Sequence, residues 1–317
     1  MRAITADTLV GDIKENDLLN KAFGFFAYPA YDGPDADSLT LKAYLAKSDS
    51  AFMAGDSAGA MNLALKQAET HKVFYRYDKS RSGSYLLHFT PKENTRGPIF
   101  VIPGGGYSTV CGVYEGAEVG QAYADLGYDV YIVSYGVLKE ARYPKVMDDL
   151  GNAIGFARKQ FGLGDDYGLV GFSASGHLAG LFCSEERGYR NYSIPKPRCL
   201  VLGYPVITLE EGTHGGTRDN FLGEERKDDK AMQKAFSVDS NVGPSYPPTF
   251  LWRSADDPAV PGESNADRMD EALKRNHVPH VYHVYPGFGH GWAVGKGTSA
   301  EGWIEESALF MDAHSGR

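Results

Sequence analysis

Gly168-Leu169-Val170-Gly171-Phe172-Ser173-Ala174-Ser175-Gly176-His177-Leu178-Ala179-Gly180 carries the clearest structural signal in this chain. Five uncharged residues run into a serine among small residues, and a second apolar run follows. That is the pattern of a buried strand turning sharply into a helix, with a hydroxyl at the turn. Short apolar runs of the same kind recur at 99–102, 130–134, 199–202, 249–252 and 280–284. Helical spacing lies between several of them. Over 144–161, Val146, Leu150, Ala153, Ile154, Ala157 and Phe161 share one face, and Pro144 suits the first turn. Further helices are expected over 263–276 and 300–313. The alternation predicts an α/β fold with a mostly parallel central sheet and helices on both faces. Residues 72–77 and 84–89 flank a turn and predict a hairpin. Residues 1–70 read as a helical N-terminal extension, with helices over 38–47 and 56–70. Residues 208–248 form a polar, glycine-rich interruption where an insertion over a site could sit. The expectation is one domain over 1–317, with its core at 72–313.

Composition narrows the function classes. The 317 residues carry 32 Lys+Arg against 41 Asp+Glu, a net charge of −9, which opposes binding to a phosphate backbone, so no nucleic-acid partner is expected. Hydrophobic residues make up 42% and charged residues 23%, the balance of a globular protein with a large core. No run approaches the ~18 apolar residues of a membrane span, so no membrane partner is expected. The first residues, MRAITADTLVGDIKEND, include acids and no apolar stretch of signal-peptide type. Three cysteines, Cys111, Cys183 and Cys199, are too few for a disulfide framework, and a cytoplasmic location is the expectation. The pattern specifies no oligomeric state.

Two serines compete for the role of nucleophile. Gly55-Asp56-Ser57-Ala58-Gly59 is a literal G-x-S-x-G. Only a weak apolar stretch precedes it, an amphipathic run from Met61 to Ala68 follows, and Asp56 or Ser57 is expected there as an ordinary helix N-cap. Ser173 follows a real strand pattern and opens an apolar helix, so it is the candidate, although Ser175 stands where the second glycine belongs.

GFSASGHLAG (171–180) resembles the nucleophile elbow of α/β-hydrolases, in the branch of small serine esterases that includes bacterial acetyl esterases, acetylxylan esterases and feruloyl-esterase-like proteins. Their usual form is G-F-S-A-G-G-H-L-A. Upstream, Ile102-Pro103-Gly104-Gly105-Gly106-Tyr107 resembles their P-G-G-G-Y oxyanion loop, and Arg142-Tyr143-Pro144 also fits. Downstream, Pro247 to Trp252 and Asp256-Asp257-Pro258-Ala259-Val260-Pro261 resemble the segment of the catalytic acid, and Gly287-Phe288-Gly289-His290-Gly291 the histidine loop. The resemblance covers residues 72–313 and leaves 1–70 unmatched. It implies an α/β-hydrolase fold and carboxylester hydrolysis.

A serine hydroxyl needs a base, and the base needs an acid to set its tautomer. His290, in a glycine-rich loop after the 280–284 strand, is the base candidate. His177 belongs to the helix start, where a structural hydrogen bond is its expected role. His277, His280 and His283 look like a metal cluster on paper, but on a strand His280 and His283 point to opposite faces. His71, His88, His214 and His314 have no motif, and packing is their default. No metal and no cofactor are expected, and no nucleotide-binding glycine motif occurs at a strand–helix junction. The acid should follow the 249–252 strand; Asp256 and Asp257 both qualify, and the resemblance selects Asp257. Gly105 and Gly106 are assigned as oxyanion donors, with the amide of Ala174 as their partner.

The expected activity is hydrolysis of a small-molecule ester with a small acyl group, acetylated carbohydrate being the class that the resemblance implies. An amidase, arylformamidase or peptidase with the same triad is the alternative, and a non-catalytic binding module a weaker one. Seventy residues are too few for the propeller that a peptidase of this fold usually adds. Tyr107 is expected to confine the acyl pocket. Tyr28, Tyr31, Phe221 and Tyr246 are candidate lining residues with core packing as the default for each, and the 208–248 segment is expected on the leaving-group side.

Overall fold

The computed structural model of the chain describes residues 2–27, 31–47, 54–93 and 96–315. Four helices come first: α1 (Val10–Lys14), α2 (Asp17–Phe26), α3 (Leu41–Ala46) and α4 (Ala54–Ala68). Strands β1 (Phe74–Arg76) and β2 (Tyr85–Phe89) form the antiparallel hairpin, and β3 (Gly97–Ile102) enters the sheet. A π-helical turn at Gly112–Glu118 leads into α5 (Val119–Asp125). Strands and helices then alternate through β4 (Tyr128–Val133), α6 (Lys145–Phe161), β5 (Gly168–Phe172), α7 (Ser173–Phe182) and β6 (Cys199–Gly203). Helices α8 (Gly215–Leu222) and α9 (Lys230–Phe236) precede β7 (Thr249–Ser254). The chain closes with α10 (Ala266–Arg275), β8 (His280–Tyr285) and α11 (Trp303–Ala313).

The eight strands lie in the order β1-β2-β4-β3-β5-β6-β7-β8. β2 is antiparallel to β1 and to β4, and every other pair is parallel. Parallel central strands are covered on both faces, so they read as continuous apolar runs, and alternate residues feed two cores. In β3, Ile99 and Val101 face the core shared with α1–α5 and α11, whereas Phe100 and Ile102 face the core shared with α6–α10. The register pairs Ile102 with Gly171, so the loop leaving β3 and the turn leaving β5 emerge side by side. The loops after β7 and β8 open on the same edge, because the parallel strands point the same way. Ligands bind at this carboxyl end in open α/β sheets.

Several local expectations shift. Helix α4 begins at Ala54, so Asp56 and Ser57 sit inside its first turn and are not caps. Ser57 is buried, and Asp56 accepts a hydrogen bond from the Tyr114 hydroxyl at 3.0 Å. Pro144 is the N-cap of α6 and Gly162 its left-handed C-cap. Helices α10 and α11 begin three residues later than their patterns suggest. The 208–248 segment carries two capped helices: His214 caps α8, and Asp229 caps α9 by accepting from the amides of Ala231 and Met232. Among the described residues, no helix is long and apolar enough to cross a membrane.

Candidate active site

The β5–α7 turn places Ser173 in a backbone conformation that L-residues seldom adopt, with φ +48°. A strained turn of this kind lifts the hydroxyl out of the sheet edge. His290 Nε2 lies 2.8 Å from Ser173 Oγ, and His290 Nδ1 lies 2.6 Å from Asp257 Oδ2. The other Asp257 oxygen accepts from the amides of Ala259 and Val260, at 2.9 Å each. Those two bonds hold the carboxylate and leave Oδ2 for the imidazole. With Nδ1–H donated to Asp257, Nε2 of the neutral ring is free to accept the serine proton. Asp256 is exposed and faces elsewhere. Its Oδ2 accepts from the Gly287 amide at 2.7 Å, which ties the acid loop to the histidine loop.

The loop leaving β3 lines the same cavity as Ser173 through Gly105 and Gly106. Neither the Gly105 nor the Gly106 amide has an intramolecular acceptor among the described residues. The Ala174 amide belongs to the first turn of α7, where amides have no intrahelical acceptor. Gly105 has φ +128°, and a β-carbon there would stand 2.5 Å from the Thr109 carbonyl oxygen, so the loop tolerates no side chain at this point. Ser175, the departure from G-x-S-x-G, is absorbed. Its buried hydroxyl donates to the Pro103 carbonyl at 2.6 Å and lies 2.7 Å from the Tyr135 hydroxyl, pinning the elbow to the start of the glycine loop. Close packing is supplied by Gly176, where a β-carbon would come within 2.4 Å of Pro205 Cβ.

Ser173 and His290 open into a cavity of about 300 Å³, lined also by Gly105, Gly106, Thr109, Cys111, Tyr114, Glu115 and His214. Two of these lining residues carry roles that no sequence motif announces. Glu115, buried, accepts from the Gly104 amide at 2.6 Å and from the Tyr204 hydroxyl at 2.8 Å. Tyr204 in turn accepts from the Ala293 amide at 3.0 Å, and its ring meets His290 edge-on at 4.9 Å between centroids. One carboxylate thus links the glycine loop to the histidine loop. Burial raises its pKa; the bonds from Tyr204 and Gly104 and the proximity of His290 oppose that rise. The π-helical turn sets Glu115 there, and an acid between two glycines gives no periodic signal. His214 accepts from the Thr217 amide through Nδ1 at 3.2 Å, which leaves Nε2 as the protonated nitrogen of the neutral ring. Burial, reinforced by His290, lowers its pKa. Burial pushes the Cys111 thiol far above its ordinary range, so it offers no thiolate beside the serine.

The expectation for Tyr107 is corrected, and the described aromatic candidates pack away from the pocket. Tyr107 has φ +57° and is fully buried, turned into the core against Tyr135 and Phe221 with its hydroxyl on His177. Phe221 is buried in the same cluster. Tyr246 bonds the Gly180 carbonyl beside a separate cavity, and Tyr31 donates to Asp35. None of these four lines the Ser173 cavity, and Tyr28 lies outside the described residues. His280 bonds Asp270, whereas His283 meets Glu306 and stacks on Tyr285.

His177 is structural. Its Nε2–H donates to the Phe236 carbonyl at 2.8 Å, so Nδ1 accepts from Tyr107. Burial holds its pKa at about 4, against 6.5 for an ordinary histidine. The unfolded chain therefore takes up a proton first. This contribution to stability is complete above pH 6.5 and is lost as the pH falls toward 4, by about 3 kcal/mol. Urea unfolding between pH 4 and 7 should show that slope flattened in His177→Gln; equal slopes would count against it.

A model of the prolyl oligopeptidase family matches residues 144–317, more than half of the chain, and spans Ser173, Asp257 and His290. The chain belongs to the prolyl oligopeptidase family. A second model, BD-FAE, matches residues 87–198, which include the glycine loop and the elbow. This family member is 28% identical over 65% of its length to endo-1,4-beta-xylanase B of Butyrivibrio fibrisolvens. It is 27% identical over 77% of its length to the acetylxylan esterase of Xylanibacter ruminicola. It spans 34% and 50% of the lengths of those two relatives. Among solved structures, the acetyl ester-xyloside bifunctional hydrolase of Caldicellulosiruptor lactoaceticus superposes with a TM-score of 0.63 at 28% identity, covering 72% of this chain and 87% of that one. The fold is that of an α/β-hydrolase, and the chain falls in the branch containing these carbohydrate esterases.

Proposed function

We propose that the chain is a serine carboxylester hydrolase acting on small-acyl esters, acetylated carbohydrates in particular. The observation that carries this reading is the relay from Ser173 through His290 to Asp257, beside a glycine loop whose Gly105 and Gly106 line the same cavity. We assign the amides of Gly105, Gly106 and Ala174 as the oxyanion donors. Ser173 Oγ attacks the ester carbonyl while His290 Nε2 takes its proton. The carbonyl oxygen gains charge, and the three amides receive it without reorganisation. His290 then gives the proton to the departing alcohol, and water repeats the sequence on the acyl-enzyme. Asp257 holds the ring in its tautomer and offsets its transient charge. The helical segment 1–70 and the 208–248 segment belong, in this reading, to one hydrolase domain. Helix α8 in the latter brings His214 to the pocket.

The small cavity at Ser173 supports a short acyl group. Among p-nitrophenyl esters from two to twelve carbons, acetate and propionate should exceed octanoate in kcat/KM by roughly tenfold or more, since overfilling a packed site costs about 1–3 kcal/mol. A preference for long chains would discard the small-acyl reading. Membership of the prolyl oligopeptidase family favours a second reading, amide or peptide hydrolysis by the same triad. Aminoacyl anilides cleaved faster than acetyl esters would establish it. Failure of a fluorophosphonate to label Ser173 would count against both.

A further inference from the structure

A second cavity, of about 700 Å³, adjoins the first and shares Tyr114, His290 and Gly291 with it. It is lined by Trp292, Ala293, Val294 and Lys296 of the histidine loop together with Asp56 of α4 and Glu118 of the π-helical turn. Resting on the ester-hydrolase reading, we propose that this cavity is the subsite for the alcohol moiety of the substrate, and that it binds a neutral, polyhydroxylated pyranose ring stacked on Trp292.

Three observations carry the assignment. The first is directional. His290 must protonate the leaving oxygen, so the alcohol departs on the His290 side of Ser173. The larger cavity is lined by His290 and the residues that follow it, whereas none of its lining comes from α8 or the 208–248 segment. The second is Trp292 itself, 46% exposed beside the catalytic histidine, whereas Trp252 and Trp303 are fully buried. An indole face exposed at the mouth of a site offers an apolar platform to the C–H face of a sugar. The platform is held in place: the Gly295 amide donates to the Trp292 carbonyl at 2.7 Å. At the next residue, Ala293 donates to Tyr204 and accepts from Trp303 Nε1 at 2.8 Å. The third is the charged part of the lining. The carboxylates of Asp56 and Glu118 accept hydroxyl protons, and the Lys296 ammonium donates. Burial and the nearby Asp56 push Glu118 up to about 7, against the pull of Lys296, so an added hydroxyl donor is a favourable partner for it. Mixed charges of both signs suit a neutral polyol better than an ion.

The test compares ethyl acetate, whose two-carbon alcohol has no ring to stack on an indole, with an acetylated xylotriose. In Trp292→Ala, and independently in Glu118→Gln, kcat/KM on the xylotriose ester should fall about tenfold more than on ethyl acetate, mainly through KM. Xylotriose should also quench the fluorescence of Ser173→Ala protein, and the quench should vanish when Trp292→Ala is added. Equal losses on both esters would assign Trp292 to holding His290 and overturn the subsite. Unchanged turnover of the xylotriose ester in both variants would overturn it too, as would a cationic ester such as acetylcholine outperforming the sugar ester. Wild-type protein that cleaves neither ester would instead overturn the hydrolase reading, and the subsite with it.

Discussion

Ser173→Ala protein is expected to fold normally and to lose ester hydrolysis by about 10⁴–10⁶-fold in kcat, the scale on which removal of a triad nucleophile acts. The physical basis is that, among the described residues, Ser173 is the hydroxyl that meets His290 Nε2. Cys111, which lines the same cavity, has its thiol held protonated by burial. Residual turnover would come from the amides of Gly105, Gly106 and Ala174 acting on a water. Ser57→Ala, in the better literal motif, should retain activity, because that side chain is buried inside α4 and does not line the cavity. Steady-state kinetics on p-nitrophenyl acetate decide the point, and near-normal turnover by Ser173→Ala would remove Ser173 from the mechanism.

The second large effect is expected at the acid. Asp257→Asn should lower kcat by about 10⁴-fold, because an amide cannot both fix the imidazole tautomer and stabilise its cation. The loss should appear in kcat far more than in KM, since the cation exists only along the reaction path. Asp256→Asn should cost much less: its carboxylate holds the Gly287 amide, a contact that an amide oxygen can keep. A reversed order of severity would place Asp256, not Asp257, behind His290. Measuring both variants with the same activated ester separates the two neighbours cleanly.

What could be read from the chain was local. The strand-turn-helix at 168–180, the glycine run at 104–106 and the histidine loop at 287–291 each sit within about a dozen residues, so composition and period expose them directly. Strand and helix identities followed from the same short-range patterns, and their ends moved by a few residues, as at the starts of α4, α10 and α11.

Choices among equivalent neighbours were different. Asp256 and Asp257 are chemically alike, and only the turn after β7, with the amides of Ala259 and Val260 on one carboxylate, aims Asp257 at His290. Tyr107 follows the glycine loop in sequence yet points into the core, because a positive φ turns its side chain away from the serine. Glu115 reaches the site from the connection after β3, and Tyr204 and His214 from the one between β6 and α8, and nothing in their own neighbourhoods marks them. Trp292 stood next to a recognisable histidine loop, but its value depends on α4 facing it across a cavity. Fold class and the residue types at the reacting centre are thus written in the chain itself, since both rest on interactions between near neighbours. The resemblance already pointed to Asp257, but the contacts that aim its carboxylate at His290, and which aromatic side chains stay out of the pocket, came only with the folded arrangement, because each depends on distances between segments far apart in the chain.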